Sequence, residues 1–93
     1  MTARFILFGA IKPNKSASWF IHGFEKHEAV SFSIVVRPGS GARPPVAHAV
    51  LTQGDSYQRV DGTQAYKINI QNKAPFNWIW YDLLALVESW GLT

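Results

Sequence analysis

The stretch Gln64-Ala65-Tyr66-Lys67-Ile68-Asn69-Ile70-Gln71-Asn72 decides the fold class, because Tyr66, Ile68 and Ile70 alternate strictly with Lys67, Asn69 and Gln71. A period of two puts successive side chains on opposite faces of an extended chain, so this is a strand with one face to a core and one to solvent. Asp61-Gly62 in front of it and Asn72-Lys73-Ala74-Pro75 behind it are turn signals that bound the strand.

The flanking segments read the same way. Over residues 29–37, Val30, Phe32, Ile34 and Val36 share one face, while Ser31 and Ser33 fall on the other. Residues 4–9 form a short strand closed by Gly9 and by Lys12-Pro13-Asn14-Lys15. Residues 16–24 are also extended, but Trp19, Ile21 and Gly23 oppose Phe20, His22 and Phe24, so the pattern does not choose an inner face. Glu25-Lys26-His27-Glu28 resembles an exposed hairpin connection, and residues 38–45, rich in Pro and Gly, form the longest loop. Residues 46–53 and 56–60 are two further strands separated by a Gly54-Asp55 turn.

Residues 76–87 have two unequal faces. Ile79, Tyr81, Leu83, Ala85 and Val87 suit a core, which leaves Trp78, Trp80, Asp82, Leu84 and Leu86 pointing outward. A helix is the competing reading here, with Asp82 as N-cap, Leu83, Leu86, Val87 and Trp90 at helical spacing, and Gly91 as the stop. The strand reading is preferred because an aromatic-rich run directly follows a Pro-bounded turn. Seven strands with turns every eight to fifteen residues predict an all-β fold, a small antiparallel β-sandwich occupying residues 1–93 as one domain.

The run Asp61-Gly62-Thr63-Gln64-Ala65-Tyr66-Lys67-Ile68-Asn69-Ile70 resembles the penultimate strand of immunoglobulin-like and fibronectin-III-like sandwiches, where a Tyr opens a strand of alternating apolar residues after an acidic turn. The cysteine pair and central Trp arrangement of immunoglobulin domains are not recognisable, and the Asp-to-Tyr spacing is one residue longer. What the resemblance implies is therefore architecture alone.

Composition narrows the function. With 47% hydrophobic and 16% charged residues, the chain has enough apolar material for a core and is not a disordered segment. No long apolar run predicts a membrane span, and the apolar patch after Arg4 is too short for a signal-peptide core. The absence of cysteine removes thiol nucleophiles, disulfides and thiolate zinc sites, and leaves the compartment open. The net charge of +3 is weighted toward residues 1–45, with six basic and two acidic residues, but these are too scattered for a nucleic-acid footprint. His22, His27 and His48 sit in no motif that would activate a nucleophile or gather a metal. A non-catalytic module without cofactor or metal is the expectation.

The chemistry that stands out is aromatic: Trp19, Trp78, Trp80 and Trp90, with Tyr57, Tyr66 and Tyr81. Residues two apart on a strand lie about 6.5–7 Å apart on one face. Trp78 and Trp80 can thus offer adjacent stacking planes, with Asp82 as a hydroxyl acceptor and Asn77 at the edge, and Trp19 and His22 as secondary members. Carbohydrate binding, lectin-like, is the first reading of that platform. A structural or self-assembly surface using Leu84 and Leu86 on the same face is the alternative, and predicts a homo-oligomer. Single-stranded nucleic-acid binding comes third, because residues 74–93, which carry three of the four tryptophans, contain no Lys or Arg.

Overall fold

The computed structural model describes residues 2–41 and 47–89. Within them lie six strands: β1 (Thr2–Ile11), β2 (Ser16–Phe24), β3 (Glu28–Pro38), β4 (Ala49–Gln58), β5 (Gln64–Asn72) and β6 (Ile79–Ser89). All pairings are antiparallel and give two three-stranded sheets, sheet A in the order β1-β6-β3 and sheet B in the order β2-β5-β4. The sheets pack face to face as a small β-sandwich.

β5 and β6 are the middle strands, and each supplies the alternation that its sequence carries. Tyr66, Ile68 and Ile70 of β5 are buried, as are Ile79, Tyr81, Leu83, Ala85 and Val87 of β6. From the edges, β3 adds Val30 and Phe32, with Ile34 and Val36 partly buried behind them. Phe24, Phe32 and Tyr66 meet edge to face, with ring centroids 5.7–6.0 Å apart, which is the favoured geometry for aromatic quadrupoles. Extended residues 79–89 replace the helical alternative with strand; its Trp90 and Gly91 lie outside the described residues, as do Val46 and the loop beyond Gly41.

Two features correct the sequence reading, and a third accounts for the strand whose faces it left open. The segments read as strands 46–53 and 56–60 are one strand, β4, and Gly54-Asp55 is a bulge in it, since the register against β5 jumps between Gln53 and Ser56. That reduces seven strands to six. Residues 25–28 do not join a hairpin, because β2 belongs to sheet B and β3 to sheet A; the turn, closed by the Glu28 amide on the Glu25 carbonyl, carries the chain between layers. In β2 the register jumps between His22 and Phe24, where Gly23 adopts a positive φ of 98°. The bulge changes the phase of the strand, so Ala17 and Ile21 pack toward the core on one side of it and Phe24, 2% exposed, on the other. Strict alternation could not describe such a strand.

The Asp61-Gly62 turn is the single hairpin within a sheet among the described residues, joining β4 to β5. Arg59 and Thr63 close it backbone to backbone, and the Asp61 carboxylate accepts from the Thr63 amide and hydroxyl at 3.0 and 2.7 Å. Those two donors hold the Asp61 carboxyl below the usual aspartate range.

Each sheet has free edges, and one pair of them is joined by a side chain. The Gln53 amide donates to the Val30 carbonyl at 3.2 Å and accepts from the Phe32 amide at 3.2 Å, taking the place of a neighbouring strand on the outer edge of β3. Gln53→Ala is expected to destabilise the fold by about 1–2 kcal/mol, the net worth of two hydrogen bonds. Hydrogen exchange at Phe32 should quicken more than at Ile68. Unchanged protection at Phe32 would show that the clamp is not structural.

Candidate functional site

Because the sandwich has only two layers, each sheet presents a second face outward. Residues paired across strands point the same way, so the register writes out both outer faces. On sheet A the rows are Ala3–Leu86–Ser31, Phe5–Leu84–Ser33, Phe8–Asp82–Val35 and Ala10–Trp80–Arg37. Trp78 stands just before β6, beyond the last row.

Phe5 is 60% exposed, Val35 51%, Phe8 49%, Trp78 48% and Trp80 38%. Trp80 is stacked on Phe8, with centroids 5.4 Å apart and an interplanar angle of 25°. The Arg37 guanidinium lies 5.4 Å above the Phe8 ring and donates to the Asp82 carboxylate at 3.1 Å. The ammonium of Lys12 lies 5.9 Å from the Trp78 ring centroid. Phe8 comes to this face because β1 bulges between Phe5 and Leu7, which lets Phe5 and Phe8, three apart, both face outward.

On sheet B the outward rows are Ser16–Gln71–Val50, Ser18–Asn69–Thr52, Phe20–Lys67 and His22–Ala65–Tyr57. Phe20, His22 and Tyr57 gather around the small Ala65; the Phe20 ring is 5.6 Å from Tyr57 and 6.4 Å from His22. Partial desolvation, then the Asp55 carboxylate and the 3.3 Å bond it accepts from Tyr57, push the Tyr57 phenol above its ordinary range.

The six candidate residues therefore do not form one site. Trp78, Trp80 and Asp82 share the outer face of sheet A, with Asp82 engaged by Arg37. Asn77 is 6% exposed, and its carbonyl accepts from Asn72, so it lies beneath that face and does not border it openly. Trp19 is paired with buried Ile68 at the edge of sheet B, and its indole N–H donates to the Tyr81 hydroxyl at 2.9 Å, between the layers. His22 is on the opposite outer face. Phe5, Phe8, Val35 and Arg37 complete the sheet A surface, and Phe20, Tyr57 and Lys67 the sheet B surface. None of these seven was singled out by a motif. Val35, Arg37 and Lys67 were legible as the outward sets of β3 and β5, but the other four depended on bulges or on strand order.

Among the described residues, no three His, Asp or Glu side chains come together to hold a metal ion. Every buried side-chain nitrogen and oxygen among them has a hydrogen-bond partner. Compared with known proteins, the chain matches no family model, no curated protein and no solved structure.

Proposed function

We propose that this domain is a non-catalytic assembly module whose outer sheet A face binds a second copy of the chain. The observation that carries the reading is the run Phe5, Phe8, Trp80, Trp78 and Val35, exposed together across all three strands and backed by half-buried Leu84 and Leu86. With aromatic side chains of 150–250 Å² each, four half-exposed rings alone offer roughly 400 Å² of apolar surface, at the limit of what soluble monomers leave bare.

A second copy fits this face for an electrostatic reason. Arg37 and Asp82 are the charged residues in its four rows, one of each sign, so those rows carry no net charge, with Lys12 beside Trp78 at their end. Around a two-fold axis near that pair, Arg37 of each copy can reach Asp82 of the other, which is the self-complementarity an isologous contact requires. The likeness of residues 61–70 to the penultimate strand of immunoglobulin-like modules supports the architecture, since β5 is the penultimate strand and the centre of its sheet. Fold does not fix function, so the assignment rests on the face.

Sedimentation from micromolar to hundreds of micromolar is the test. Wild type is expected to dimerise, and Val35→Glu or Phe5→Glu to remain monomeric with unchanged β-sheet dichroism, since both side chains are at least half exposed. A wild type that stays monomeric throughout would exclude self-assembly.

Carbohydrate binding at the same face is the second reading, favoured by Trp78, which stands half exposed at the end of the row beside Trp80 and Asp82. A glycan array on wild type and Trp78→Ala discriminates. Sugar binding lost in the variant, with a monomeric wild type, would replace assembly by glycan recognition.

A further inference from the structure

The outer face of sheet B holds a second, chemically different feature. A shallow groove of about 350 Å³ is lined by Ser18, Trp19, Phe20, Tyr57 and Lys67. It lies alongside the bulge in β4. Lys67, on the middle strand, has Phe20 as its neighbour on β2, but on β4 it faces the two-residue bulge of Gly54 and Asp55. Gly54 lets the two backbones come close here, since a Cβ built on it would lie 3.3 Å from the Lys67 carbonyl. Phe20 and Tyr57, 52% and 42% exposed and tilted 50° to each other, stand beside Lys67 in this groove.

Lys67 makes no ion pair within this groove. Among the described residues the ion pairs are Arg4–Glu28 and Arg37–Asp82, and Lys67 belongs to neither. Asp55, the carboxylate on the bulge, is turned to the Tyr57 hydroxyl. The face continues as Ser18–Asn69–Thr52 and Ser16–Gln71–Val50, hydroxyls and amides without charge and one exposed valine, with Ser18 and Asn69 already oriented by a 3.0 Å hydrogen bond.

We infer that this groove binds an acidic saccharide, one sugar ring resting on Phe20 and Tyr57 with its carboxylate or sulfate on Lys67, and the following unit on the Ser18–Asn69 row. Aromatic rings offer apolar contact to the C–H face of a sugar at little conformational cost, and a lone ammonium attracts one anionic group. A nucleic-acid strand fits less well, because it needs a cation for each of several successive phosphates, and the four rows of this face contain Lys67 as their sole Lys or Arg. The site is separate from the sheet A face, so it stands or falls independently of self-assembly.

The test is calorimetric titration of the full chain with three oligosaccharide probes: oligogalacturonate (carboxylate), a heparin-derived oligosaccharide (sulfate) and a neutral cello-oligosaccharide. Binding of at least one acidic probe is expected, and which one binds identifies the anionic group. Affinity should fall at least tenfold in Lys67→Gln and in Phe20→Ala, stay within about threefold in Lys67→Arg, and be unchanged in Lys15→Gln, an exposed lysine in the turn before β2. Dichroism establishes that each variant folds, and amide shifts of Ser18, Lys67 and Asn69 on titration place the ligand independently of the substitutions. The inference is overturned if neither acidic probe binds, if the neutral probe binds as well as the acidic ones, if Lys15→Gln weakens binding as much as Lys67→Gln, or if a single-stranded oligonucleotide binds more tightly than both acidic probes.

Discussion

Replacing Asn72 by aspartate is expected to lower stability by about 3–5 kcal/mol, more than most single substitutions in a domain of this size. Asn72 closes β5 and is fully buried. Its amide nitrogen donates to the carbonyls of Ile11, Lys12 and Asn77 at 3.0, 3.1 and 2.9 Å, and its amide oxygen accepts from the Ala74 amide at 2.8 Å. One side chain thus ties the end of β1, the turn into β2 and the crossover into β6. Aspartate has the same shape and keeps the acceptor for Ala74, but turns a second oxygen toward three carbonyl oxygens. Burial and those oxygens raise the folded-state pKa of the new carboxyl above its unfolded value, so the deficit should shrink as the pH is lowered through that folded value. Urea denaturation across pH measures both effects. A loss below 1 kcal/mol at neutral pH would show that water, and not Asn72, satisfies those carbonyls.

This residue illustrates what was legible in the sequence and what was not. Asn72 was readable as a turn residue, because Asn accepting from the amide two positions on is a local motif. Its three donated bonds were not, since Ile11 and Lys12 lie some sixty positions away and reach it only through sheet order. The same division holds elsewhere. β3, β5 and β6 were legible because each keeps an unbroken period of two between a core and an outward face. β1, β2 and β4 each contain a bulge, and a bulge shifts the period by one residue, so their inner and outer faces could not be assigned. The outward placement of Trp78, Trp80, Leu84 and Leu86 followed directly from the alternation of β6. That Phe5 and Phe8 join them, while Trp19 and His22 go elsewhere, depended on which strands pair, and period-two patterning carries no information about that.

Gly9→Ala is expected to destabilise by about 3 kcal/mol, an unusually large effect for adding one methyl group to a strand, where alanine is normally no worse than glycine. Gly9 is paired with Tyr81, and a Cβ built on the glycine would sit 2.5 Å from the Tyr81 hydroxyl oxygen and 2.6 Å from Cζ. The ring has nowhere to go. It is 1% exposed, and its hydroxyl accepts from the Trp19 indole on the other sheet, so moving it would break the link between layers as well as the packing. If steric conflict with the ring is the cause, the penalty must depend on Tyr81. In a Tyr81→Leu background, itself destabilised by the lost ring and hydrogen bond, adding Gly9→Ala should cost less than 1 kcal/mol, giving a coupling of about 2 kcal/mol in the double-mutant cycle. Additive costs would locate the conflict in the backbone of β1 and not in the tyrosine that Gly9 makes room for.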